Sequence, residues 1–104
     1  MTTKRSDSTM RYLERLAGGP LTLGNALEAI RLGEEESQAD FARRLGISKA
    51  HVCDIEKGRK TVSPERAARF ARLLGYGQKQ FVRLALQDQL SRAGLKFRVE
   101  INAA

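Results

Sequence analysis

Two serines eleven residues apart, Ser37 and Ser48, with Gly46 between them, leave the middle of this chain few ways to fold. Ser37 is a helix N-cap for the run QADFARRL. Asp40 stands three residues on in a near-capping box, and Phe41, Ala42 and Leu45 form one apolar face. Gly46 ends that helix, and only Ile47 intervenes before Ser48 caps the next, predicted over Lys49 to Lys57. Helices of about two turns are marginal in isolation, so this pair must be held by the rest of the chain. The second one offers little to hold: Val52 and Ile55 are its apolar residues, with Ile47 and Val52 at the positions of a hydrophobic staple. Its remaining face, Lys49, Ala50, His51, Asp54 and Lys57, is mainly polar and is predicted to point outward.

The 104 residues suffice for one small core. A weakly patterned helix or arm is expected over about Ser8 to Ala17, before Gly18-Gly19-Pro20. Leu23, Ala26, Leu27 and Ile30 then make a helical stripe within about Thr22 to Leu32. Ser63, Pro64 and Glu65 begin a further helix with the stripe Ala67, Phe70, Ala71 and Leu74, stopped by Gly75. A last helix, about Gln78 to Ser91, is apolar over too wide an arc for one neighbour. A second copy of the chain is the expected partner, through Phe81, Val82, Leu86 and Leu90. After Gly94 the period becomes two. Phe97, Val99 and Ile101 read as one strand, with no intrachain segment to pair with and hence expected to pair across a dimer. The predicted organisation is an arm over 1–20, a domain over 21–76, a dimerising helix over 77–94 and a strand or tail over 95–104.

Charge narrows the partner. There are 19 Lys plus Arg against 12 Asp plus Glu, a net +7, which suits a polyanion. Residues 63–104 carry most of the excess. Residues 21–62 balance in sum, with Glu34, Glu35, Glu36 and Asp40 early and Lys49, Lys57, Arg59 and Lys60 late. No apolar run approaches the roughly 20 residues of a bilayer-spanning helix, and one cysteine makes no intrachain disulfide, so a cytoplasmic location is expected. His51 with Cys53 falls short of the about four ligands a zinc site needs. Ser37 and Ser48 read as caps, since no base and orienting acid accompany them. With no glycine-rich phosphate loop either, neither an enzyme nor a cofactor is expected.

Two short helices across Gly46-Ile47-Ser48 constitute a helix-turn-helix, and a major groove roughly 12 Å wide admits the second. The stretch SQADFARRLGISKAHVCDIEKGRKTVSP, Ser37 to Pro64, closely resembles the Xre family of lambda-repressor-like regulators. Its pattern is met by Ser37, Gln38, Ala42, Leu45, Gly46, Ile47, Ser48, Val52, Ile55, Glu56, Gly58 and Ser63, with Phe41 in place of Leu. The acidic run Glu34-Glu35-Glu36 departs from it, where a Gly and an apolar residue often precede the serine. The likeness extends over about Leu21 to Gly75.

This resemblance implies an all-α, five-helix lambda-repressor-like domain that binds double-stranded DNA, usually as a homodimer. It implies a phosphate contact for Gln38, base-reading positions for Lys49, Ala50 and Asp54, and backbone contacts for His51, Lys57, Arg59 and Lys60, with Ser48 also among the DNA-binding residues. Arg31 and Glu56 match a structural ion pair of the family. A dimeric repressor at a palindromic operator is the leading expectation. The alternative is an antitoxin of the Hig or Hip type that also binds a toxin protein through its terminal extensions.

Overall fold

The computed structural model describes residues 11–15 and 21–102, and within them the chain is all helical. Six helices appear: α1 (residues 11–15), α2 (Leu23–Gly33), α3 (Gln38–Leu45), α4 (Lys49–Glu56), α5 (Pro64–Leu74) and α6 (Gln78–Arg92). Four of them begin as the caps dictate. Thr22, Ser37, Ser48 and Ser63 each accept the backbone N–H three residues on, from Asn25, Asp40, His51 and Arg66. Each cap satisfies one of the N–H groups a helix start leaves without a partner.

The core is a single cluster to which every helix contributes. Phe41, Phe70 and Phe81 are fully enclosed, with Leu23, Leu27, Leu45 and Leu84 around them. Leu13 of α1 is 4% exposed, so α1 joins this core; the rest of the expected segment Ser8 to Ala17 lies outside the described residues. α5 packs along α6, α3 on α4, and α2 reaches both α4 and α6. The helix–helix joint at α2 is tied by a side chain from far along the chain. Leu23 N–H donates to Asp88 Oδ2 of α6 at 3.0 Å. Burial raises the Asp88 carboxyl above its ordinary pKa.

Two expectations are corrected by this packing. Phe81, assigned to a dimer interface, is a core residue with no exposed surface. Its ring lies 5.5 Å from that of Tyr76, and α6 finds two intrachain neighbours, α5 and α2. Val82, Leu86 and Leu90 stay only partly covered. The period-two segment is also not a strand: residues 95–102 join no ladder, and no strand occurs among the described residues. A ladder requires a second strand, and the described residues offer none. In its place the Gln87 side chain pairs with the tail. Its Nε2 donates to Phe97 O at 2.8 Å and its Oε1 accepts from Val99 N–H at 2.9 Å. Val99 and Ile101 are half-buried, while Phe97 is 65% exposed and Leu95 45%.

Candidate nucleic-acid interface

The turn between α3 and α4 is set by Gly46, which adopts φ 75° and ψ 30°. That left-handed conformation is strained for side-chain-bearing residues. It lets Ile47 N–H return to Ala42 O at 3.1 Å, closing α3, and delivers Ser48 directly into its capping position. A Cβ at Gly46 would also lie 2.6 Å from Arg69 Nη2, which donates to Leu45 O at 3.4 Å. α4 then has only Val52, Ile55 and Glu56 buried. Lys49, Ala50 and Lys57 are exposed, and His51, Cys53 and Asp54 half-buried.

Behind α4, its last residue anchors it. Glu56 is 7% exposed and takes a two-pronged bond from Arg31: Nε to Oε2 at 2.7 Å and Nη2 to Oε1 at 3.0 Å. Arg31 Nη1 also donates to Glu36 O at 3.0 Å, tying the loop before α3 to the same guanidinium. Glu56 raises the Arg31 pKa further, through the hydrogen bond above all. Gln38 joins them: its Nε2 donates to Glu56 Oε1 at 3.0 Å, through one of its two amide hydrogens. Gln38 is thus a member of this buried network as well as the first residue of α3.

On the outer side, the basic residues are not equivalent. Lys49 and Lys57 make no ion pair among the described residues. Arg59 and Lys60 do, and with the same carboxylate. Arg59 Nε donates to Asp54 Oδ1 at 2.9 Å, and Lys60 Nζ lies 3.5 Å from Oδ2. The backbone repeats the arrangement, with Arg59 N–H donating to Asp54 O at 2.8 Å and Lys60 N–H at 3.3 Å. The hydrogen bond from Arg59 is the main cause of an Asp54 pKa below its ordinary value. From α6, Arg92 Nη2 donates to Gly58 O at 2.8 Å and braces the same turn.

Further residues matter here that spacing alone did not single out. Arg66, in the first turn of α5, lies near enough to His51 to disfavour its charging; burial is the larger cause of the lowered His51 pKa, followed by Arg66 and Lys60. Arg69 and Arg92 act from helices remote in sequence, which no local pattern reveals. The acidic run has a structural answer: Arg44 Nη1 donates to Glu34 Oε1 at 2.6 Å and also to Glu36. Glu35 between them adopts φ 56°, the left-handed region in which a side chain is uncommon. Among the described residues no three His, Cys, Asp or Glu side chains gather in a metal-ligating group.

A solvent-facing helix whose leading residues are free, seated on a short turn and flanked by cations, is the arrangement of a helix-turn-helix DNA-binding domain. The family model described as a helix-turn-helix domain matches residues 22–84, more than half the chain, and the chain belongs to that family. No curated protein and no solved structure matches it at a significant level. Among the described residues no helix is long and apolar enough to cross a membrane.

Proposed function

We propose that this protein is a cytoplasmic, sequence-specific binder of double-stranded DNA that acts as a homodimeric repressor at a palindromic operator. The observation that carries the reading is the exposed leading edge of α4, where Lys49 and Ala50 stand clear of the core and, among the described residues, of salt bridges. Such an edge lies against base edges when the helix enters the major groove. Lys49 donates to guanine O6 or N7, and Ala50 meets a thymine methyl. Ser48, His51, Lys57, Arg59 and Lys60, the second amide hydrogen of Gln38 and the first N–H groups of α3 contact phosphates. The half-covered Val82, Leu86 and Leu90, with exposed Leu95 and Phe97, support self-association. A two-fold dimer presents two such helices to half-sites about one helical turn apart.

Selecting bound duplexes from a random pool is the direct test: an inverted repeat is expected, and binding no tighter to the selected duplex than to random DNA refutes the proposal. Within that assay, Lys49→Ala is expected to relax preference at one base pair in each half-site, costing about 1–3 kcal/mol there. Arg59→Ala is expected to weaken binding to selected and random duplexes, to leave the preferred base at every position unchanged, and to flatten the salt dependence by about one unit of slope per protomer.

His51 makes the binding pH-dependent. Its pKa in the free protein lies below the ordinary 6.5, chiefly through burial. Folding therefore favours the neutral ring, and this contribution to stability, present above pH 6.5, is lost as pH falls through the lowered value. A neighbouring phosphate favours the charged ring, so binding is expected to take up a proton between the free and bound pKa values. Affinity should rise as pH is lowered through this window. His51→Gln should remove the effect, read by titrating one duplex at several pH values.

A further inference from the structure

The base-reading role implied for Asp54 conflicts with where its carboxylate is. Both oxygens face cations of the following turn: Oδ1 accepts from Arg59 Nε at 2.9 Å and Oδ2 lies 3.5 Å from Lys60 Nζ. The two backbone N–H groups of the same residues converge on Asp54 O. One residue of α4 thus organises two successive residues of the turn through both its main chain and its side chain. Arg59 and Lys60 are more than half exposed, whereas the Asp54 side chain is 25% exposed. The carboxylate therefore sits beneath two outward cations. Side chains of this length ordinarily sample many rotamers, and ordering each one at an interface opposes binding. Arg92 of α6, donating to Gly58 O at 2.8 Å, holds the start of the same turn.

We infer that Asp54 is a positioning residue: it fixes the Arg59 and Lys60 cations at a set place relative to α4, so that their phosphate contacts dictate how α4 is seated in the groove. Specificity follows from this geometry without contact between Asp54 and a base. If the two cations are already placed with respect to Lys49 and Ala50, only a duplex that satisfies phosphates and base edges together gains the whole interaction. An acid at this surface otherwise only repels the backbone, so its effect must lie in what it holds. The inference rests on the DNA-binding reading for its consequence, and on the free protein alone for its geometry.

Two measurements on Asp54→Ala and Asp54→Asn separate these layers, each variant first checked for an unchanged thermal transition. In the free protein, the Arg59 side-chain Nε–H resonance is expected to exchange more slowly with solvent than that of the exposed Arg72. This protection should disappear in Asp54→Ala and persist in part in Asp54→Asn, which keeps an acceptor oxygen. An unprotected Arg59 in the wild-type protein overturns the inference whatever the protein binds. With DNA, Asp54→Ala is expected to lower the ratio of operator to random-duplex affinity by roughly tenfold while the preferred base at every position stays unchanged. Loss of a cytosine preference at one position would make Asp54 a base reader and overturn the inference. Equal tightening on both duplexes would reduce it to a repulsive charge and overturn the inference as well. If the wild-type protein shows no sequence preference at all, the DNA-binding proposal fails while the resonance test still decides the geometry.

Discussion

Gly24→Ala is expected to destabilise the protein by about 2–3 kcal/mol, although alanine is the better helix former. Gly24 is the second residue of α2, where that helix crosses the end of α4. A Cβ there would stand 2.1 Å from the carbonyl oxygen of Ile55 and 3.1 Å from its carbon. The obstacle is backbone, which has no rotamer to change. The propensity gain from Gly to Ala is at most about 1 kcal/mol, less in a first turn. Overpacking typically costs about 1–3 kcal/mol and occasionally more. Ile55 O also accepts Gly58 N–H at 3.1 Å, so moving it disturbs the turn that carries Arg59 and Lys60. The clash therefore outweighs the propensity. Thermal unfolding should show a midpoint lower by about 10 °C or more, given roughly 4–8 °C per kcal/mol for a domain of this size. An unchanged midpoint would mean that α2 and α4 do not approach this closely.

Glu56→Ala is expected to have a larger effect, about 3–5 kcal/mol. In the wild-type protein the Glu56 side chain is 2% exposed and that of Arg31 11%, so the pair is held away from water. Removing only the carboxylate leaves a guanidinium and the Gln38 amide facing a void. Breaking one member of a buried pair is far costlier than the pair's net value. The double change Arg31→Met with Glu56→Leu removes both charges and restores volume, so it should recover much of the loss. Denaturant unfolding of the two variants makes the comparison, and equal losses would contradict it. Operator affinity is expected to fall in Glu56→Ala even when it is folded, because the network joins α2, α3 and the end of α4.

The main features of the fold were legible in the sequence for a local reason. Ser37, Ser48 and Ser63 cap the N–H three residues on, and Gly46 closes α3 within the same turn of chain. The apolar stripes Leu23, Ala26, Leu27, Ile30 and Ala67, Phe70, Ala71, Leu74 became core residues because helical periodicity fixes one face by rotation alone. Expectation failed where burial or pairing depended on a distant partner. Phe81 looked like interface because its helix is apolar on several sides, and spacing does not reveal that α6 packs against both α2 and α5. The tail alternates like a strand, yet alternation does not supply a neighbour, and one glutamine side chain took that place.

The candidate interface divides along the same line. That α4 would be short, capped by Ser48, and exposed at Lys49 and Ala50 followed from residues within four positions of each other. Which cations stand free and which are held was decided in three dimensions. Arg59 and Lys60 lean on Asp54, Arg44 is occupied by Glu34 and Glu36, and Arg92 crosses 34 residues of sequence to reach Gly58. The same holds for Asp88, which meets the N–H of Leu23 across 65 residues, and for Gly24, whose missing side chain makes room for Ile55 O. Caps, stops and stripes obey the short-range geometry of one helix, so sequence alone determined them. Charge pairing and close backbone approach need two segments to meet, and only the folded chain brings them together.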